Sequence, residues 1–392
     1  MSKVYNCTNH STEISNVVKC DGIYLFDGRG KRYMDLESGV WCTSIGHRNA
    51  RINELIRKQT ESIMHAGFCY SNDILEESAD SVLSITGFEK GKCVFLCSGS
   101  EAIELARQIS KHITDKKRSM TLHDSYLGSY SSVTDRNNDW YIFNWERCMS
   151  CPDKDNCNTG CEKLRDIPGD ISEFIFEPGS SSGFVRFPPK SLIRNIINIV
   201  RSQGGIIIAN EVTTGIGRTG KWFGYNHYQI EPDMVAIGKG IGNGYPVSVT
   251  AINERTVRDL KKNTFRYMQS HQNDPLGAAI VNEVIKIIKE DELIPEAERK
   301  GIRFFEMLRA LKDNINIMDV RGRGLMFAVD ICDENTGDNL FKELIDKGYI
   351  VGNRKSAFRI DPPLTIKEDE FGNFISDFSR ILRQVVPAIQ NP

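Results

Sequence analysis

The chain carries almost no net charge: 50 Lys and Arg stand against 52 Asp and Glu, a formal −2 over 392 residues. So weak a field holds neither nucleic acid nor an anionic membrane surface, and neither partner is expected. No segment approaches the roughly 18 uninterrupted apolar residues of a membrane span. The opening MSKVYNCTNHSTEISNVVKC has no apolar core behind basic residues. These absences predict a cytoplasmic protein. No internal repeat and no low-complexity tract is present. What is present is 40% hydrophobic composition, enough for one large core with a smaller satellite. Eleven cysteines in a reducing compartment are not expected to build a disulfide framework, so a cluster among them points to metal or thiol chemistry.

Short apolar runs, KCVFLC, EFIFEP, GGIIIAN and DMVAIG, alternate with amphipathic stretches such as EAIELARQISKHI and PKSLIRNIINIVRSQ. That alternation predicts an α/β fold with a large, mostly parallel sheet covered by helices. GIYLFDGRGKRYMDLE reads as a hairpin turning at Asp27–Gly30, and after about Glu290 the pattern changes to helix, strand, helix. The expected organisation is a large domain over 51–295 and a smaller α+β domain built from 1–50 and 296–392. A Cys-rich insertion, 146–166, falls between two strands.

Gly215, Gly217 and Gly220 spell G-x-G-x-x-G in GIGRTG. A dinucleotide site needs a helix at once, and KWFGYNHYQIEPD follows without helical period, so a glycine-rich wall of another site is the better account. Lys239, in GKGIGNGYP, lies directly after the strand-like DMVAI. Ligands of open α/β sheets collect at such a strand end. A lysine in a tight glycine loop there is a candidate Schiff-base lysine, desolvated enough to be nucleophilic, whereas a lysine taken at random is a solvated charge.

The string NEVTTG, GRTG, KWFGYNHY, EPD, Lys239 and GYP, with the lysine 29 residues after Asn210, resembles the signature of the class III aminotransferases. These are pyridoxal-phosphate enzymes of fold type I, and the resemblance runs from about Asp21 to the C-terminal region. It implies that 51–295 is the cofactor-binding domain, that Lys239 carries the cofactor, and that an amino acid or ω-amine donor passes its amino group to a keto acid. It further implies that the amides of Gly99 and Ser100 in CSGSEA cradle the phosphate, although Ser98 or Ser100 would equally serve as a helix cap. Tyr126 in SYLG is the ring that stacks on the cofactor, with Leu127 in place of the usual histidine. Ser270 stands where a hydroxyl reaches the phosphate of a homodimer partner. Arg359 in FRIDPPLTI is the clamp for a substrate carboxylate. Glu177 in FEPGSSSG is implied to pair with Arg359 when no α-carboxylate is present, and Trp41 to line the entrance.

Two positions depart from the pattern. The family has an acid at 210, which keeps the pyridine nitrogen protonated, and a glutamine at 213; here they are Asn210 and Thr213. A neutral amide implies a weaker electron sink. Asn210 fits a working transaminase, a racemase or epimerase on the same fold, or a substitution that traps an intermediate. Separately, Cys148, Cys151, Cys157 and Cys161 give C-x2-C-x5-C-x3-C. The spacing suits a tetrahedral zinc or an iron–sulfur cluster, or else a loop of reduced thiols. A metal-binding or regulatory protein on a retired aminotransferase scaffold is the reading from a different class.

Overall fold

The computed structural model describes residues 3–385 apart from 9, 68, 183–184 and 314–315. Three N-terminal strands come first: β1 (Val17–Asp21), β2 (Tyr24–Asp27) and β3 (Arg32–Asp35). The central sheet follows, with β4 (Lys92–Leu96), β5 (Arg118–Leu122), β6 (Trp140–Phe143), β7 (Ile171–Phe176), β8 (Ile206–Asn210), β9 (Met234–Ile237) and β10 (Ser248–Ile252). The C-terminal part adds β11 (Ile317–Arg323), β12 (Met326–Ile331), β13 (Tyr349–Ile350), β14 (Gly352–Arg354) and β15 (Ala357–Ile360).

The central order is β4-β10-β9-β8-β7-β5-β6. Only β10 runs against its neighbours, so the sheet is mostly parallel as the alternation predicts. Strands β7 through β10 are buried at every residue, and β8 and β9 accordingly read as nearly continuous apolar runs, IIIAN and MVAI. Burying each such side chain contributes about 1.5–3 kcal/mol before entropy. Helices α1 (Gly99–Thr114), α2 (Lys190–Ser202) and α3 (Pro275–Glu290) cover the sheet with their apolar faces.

The turn at Asp27–Gly30 forms the expected hairpin, with Leu25 opposite Tyr33. C-terminal β13 pairs in parallel with β3, so distant segments share one four-stranded sheet. A second four-stranded sheet, β11-β12-β15-β14, carries Arg359 on β15. Among the described residues no helix is long and apolar enough to cross a membrane.

Candidate active site

The C-terminal ends of β4, β5, β7, β8 and β9 lie along one edge of the central sheet, the edge where open α/β sheets take ligands. Each delivers one predicted residue or turn: Gly99 and Ser100, Tyr126, Glu177, Asn210, and Lys239. The expected residues therefore converge because parallel strands end together.

Lys239 opens a short 3-10 turn after β9 and has a left-handed φ of 47°. Its Nζ donates to Thr213 Oγ1 at 2.9 Å and lies 4.3 Å from the Trp41 ring centroid. Burial pushes the amine down to about 8, with nearby Arg359 acting in the same direction and Cys42 and Glu177 opposing it. At neutral pH the deprotonated, nucleophilic fraction is far larger than for a solvated lysine.

Ser98 caps α1: its hydroxyl accepts the Glu101 N–H, and the Glu101 carboxylate returns to the Ser98 and Cys97 N–H groups. The capping reading of CSGSEA thus holds for Ser98. The first turn still leaves the Gly99 and Ser100 N–H groups without intrahelical acceptors, at the positive end of the helix. A Cβ on Gly99 would fall 2.6 Å from Val212 Cγ1, so only glycine brings α1 this close to the loop after β8. Ser100 Oγ accepts the Ser129 N–H at 3.1 Å. The Tyr126 ring is 46% exposed at the mouth, its hydroxyl 3.0 Å from Ser129 Oγ.

Arg359 and Trp41 define the opposite wall. The guanidinium stacks on the indole, 3.8 Å from the ring centroid, so Trp41 meets both cations. Nη1 donates to the Ser181 carbonyl at 3.2 Å, Nε lies 3.6 Å from Asp361, and Nη2 is paired with Glu37. The carboxylate on Arg359 is therefore Glu37, which the sequence reading missed. Glu177 is engaged elsewhere, since its oxygens accept the Tyr126 N–H at 2.9 Å and the Ser181 N–H at 3.1 Å. Two backbone donors satisfy it, while complete burial raises it to about 7. The expected pairing of Glu177 with Arg359 is absent, and Ser181 bridges the two.

An unusual backbone holds Glu37 and Trp41 in place. Ser38, Gly39, Val40 and Trp41 all have left-handed φ, 51°, 56°, 57° and 65°, a conformation disfavoured for β-branched and bulky side chains. Buried Asp35 braces the run by accepting the Glu37 N–H at 3.0 Å, the Gly39 N–H at 2.7 Å and His47 Nε2 at 2.8 Å. Arg218 of GIGRTG is fully buried and donates to Ser38 Oγ and to the Leu325 and Pro362 carbonyls. The glycine motif thus forms a wall that ties the N-terminal turn to the C-terminal segment. No helix follows it, only the 3-10 turn Gly224–Tyr228, in keeping with the rejection of a dinucleotide loop.

Asn210 ends β8 and is 3% exposed. Ser270 is exposed and makes no hydrogen bond with another described residue. Beside it Asp274 joins His271 and His65, bringing the segments around Met64 and Met268 together. The Cys-rich loop lies between β6 and β7 and is fastened to α2 by Asn195 and Ser191. Its four thiols are free. Among the described residues the potential ligands gathered closely enough for a metal ion are His65, His271 and Asp274, within 4.8 Å of one another, and not the four cysteines.

A buried amine of lowered pKa, a helix N-terminus and a guanidinium gather around one strand edge, an arrangement that can hold an anion beside a nucleophilic lysine. The aminotransferase class-III family matches residues 5–382; the chain belongs to that family and is a pyridoxal-phosphate-dependent aminotransferase. It is 30% identical over 317 residues to the [LysW]-aminoadipate semialdehyde/glutamate semialdehyde transaminase of Sulfurisphaera tokodaii, covering 80% of this chain and 81% of that one. It is 26% identical to the acetylornithine aminotransferase of Bacillus subtilis, covering 94% of each. The fold matches taurine:2-oxoglutarate aminotransferase from Bifidobacterium kashiwanohense, solved with PLP and glutamate, at a TM-score of 0.89 and 18% identity over 96% of this chain and 95% of that one.

Proposed function

We propose that this enzyme transfers an amino group between a donor with a terminal amine, of the acetylornithine or semialdehyde type, and a 2-oxo acid. The observation that carries this reading is the Arg359–Glu37 pair stacked on Trp41 beside Lys239. With a terminal-amine donor, whose reacting carbon bears no carboxylate, Glu37 stays on the guanidinium and neutralises it. With an acceptor whose carboxylate flanks the reacting carbon, Glu37 withdraws and Arg359 takes the substrate carboxylate as a two-pronged donor. The names of the curated relatives support the donor class.

The donor set fits a phosphate-bearing aldehyde. Pyridoxal phosphate, when bound, supplies the electrophilic carbonyl and the electron-withdrawing ring. The Gly99 and Ser100 amides would hold its phosphate, Tyr126 would cover the ring, and Asn210 and Thr213 would supply its polar neighbours. Lys239 acts as nucleophile and then as carrier of the proton at its Nζ. Trp41 closes water out from between the two cations. Exposed Ser270 and the nearby exposed Met64 and Met268 support a homodimer in which Ser270 reaches the partner's phosphate. Eleven unpaired cysteines support a reducing, cytoplasmic compartment.

The test loads the protein with pyridoxal phosphate, presents acetylornithine, ornithine, 4-aminobutyrate, taurine and alanine without acceptor, and weighs the released cofactor. Appearance of the amine form with one of the terminal-amine donors is expected. Conversion by alanine alone would sink the donor assignment. Racemisation without any amine form would favour the racemase alternative. Retention of the aldehyde form throughout would favour a retired scaffold.

A further inference from the structure

The Asn210 amide is held at both ends. Its Nδ2 donates to the Tyr126 carbonyl at 2.8 Å, and its Oδ1 accepts the Val212 N–H at 3.3 Å. A donor facing a carbonyl and an acceptor facing an N–H fix which way the amide lies. Tyr126 is gripped from the other side as well, since its N–H donates to Glu177. The backbone that carries the ring at the mouth is thus clasped between β8 and β7. An aspartate at 210 would set a carboxylate oxygen against the Tyr126 carbonyl oxygen in a dry site, two acceptors without a proton between them. The asparagine is therefore built into this loop and does not substitute freely for an acid.

Among the described residues the carboxylates nearest in sequence and space are largely engaged elsewhere. Glu211, the next residue, is turned away and spends its oxygens on the Gly224 and Tyr225 N–H groups and the Thr214 hydroxyl. Glu177 is committed to two backbone amides, and Asp124 gives one oxygen to the Trp145 indole N–H while its other oxygen is buried without a hydrogen-bond partner. The charged groups facing Glu177 from other elements are the cations Lys239 and Arg136 and the carboxylate of Glu211, whose oxygens are already taken. The end of β8 presents a neutral amide where a carboxylate would be needed to hold a cationic ring.

We propose that Asn210, a neutral amide at the end of β8 where an anion would hold a ring proton, leaves the pyridine nitrogen of the bound cofactor unprotonated, while it clasps the Tyr126 backbone and so positions the ring that covers the cofactor. The inference rests on the reading of this edge as the pyridoxal-phosphate site. Its chemical consequence is a weaker electron sink at the step that removes the substrate proton. The enzyme then relies more on Lys239 and on the orientation of the scissile bond.

The test loads wild type, N210D and N210A with pyridoxal phosphate labelled with 15N in the ring and reads the nitrogen by solid-state NMR. The wild type is expected in the unprotonated range and N210D in the protonated range. N210A is expected to stay unprotonated but, cofactor-free, to melt at a lower temperature than wild type because the clasp is gone. A protonated nitrogen in wild type or in N210A, or an unprotonated one in N210D, overturns the proposal. If N210D does not take up cofactor, wild type and N210A decide. Borohydride reduction followed by peptide mass analysis first checks that the label sits on Lys239. Its absence there would overturn the cofactor reading together with this proposal, whereas its presence with a protonated wild-type ring overturns only the role of Asn210.

Discussion

Glu37→Gln separates the two substrate modes, because it removes the negative charge on Arg359 and leaves the shape. Both partners are mostly buried, with 15% and 18% of their side-chain surface exposed, so solvent screens the pair only in part. A charge-assisted hydrogen bond of this kind contributes about 1.5–3 kcal/mol. Arg359 keeps the Ser181 carbonyl at 3.2 Å and Asp361 at 3.6 Å, which sets the net effect near the low end, about 1.5–2 kcal/mol. A substrate carboxylate no longer has to displace Glu37, so it should bind about 10- to 30-fold more tightly. Amine donors without a carboxylate should lose affinity, since they then face an uncompensated guanidinium. The assay measures the inhibition constant of glutarate and the KM values of 2-oxoglutarate and a simple primary amine, in wild type and E37Q. Unchanged glutarate binding, or a shift of both substrate classes in one direction, would refute the gate.

Three further outcomes are expected. Burial lowers Lys239 to about 8, against about 10.4 for a solvated lysine; the neutral amine therefore predominates above about 8, and covalent uptake of pyridoxal phosphate by cofactor-free protein should rise with pH and level off there. A rise that continues toward pH 10 contradicts this, and Lys239→Ala should abolish uptake. Val40 is 49% exposed and left-handed, so Val40→Gly removes a disfavoured conformation with little packing loss and should stabilise the fold by about 1 kcal/mol in urea denaturation. A loss of stability would show that the turn is not strained. Anaerobically purified protein should contain no stoichiometric zinc or iron; an equivalent of metal that disappears in Cys148→Ser would show that the thiol loop closes on an ion.

The central sheet was legible because strands buried on both faces must be continuously apolar, as IIIAN and MVAI are. The position of Lys239 at the end of β9 was legible because DMVAI reads as a strand and the glycine loop follows it at once. Neither conclusion required knowing what lies across the site. Glu37 carried no local signal, since a glutamate in DLESG reads as a turn residue until β15 brings Arg359 to it over 322 positions of chain. The engagement of Glu177 was hidden for the same reason: its two oxygens accept backbone N–H groups that only the packed loops supply.

Asn210 shows the division within one residue. The sequence determined that the acid is missing, because residue identity alone sets the charge. Only the tertiary structure decided what the amide does instead, since its donor finds the Tyr126 carbonyl 84 positions away. Likewise the cysteine spacing allowed a cage, and only the fold shows where the loop sits, fastened to α2 by Ser191 and Asn195. Composition and periodicity fix which surfaces are buried and where strands end. Pairings between polar groups distant in sequence depend on loop geometry, which the packed core sets and a linear pattern does not encode.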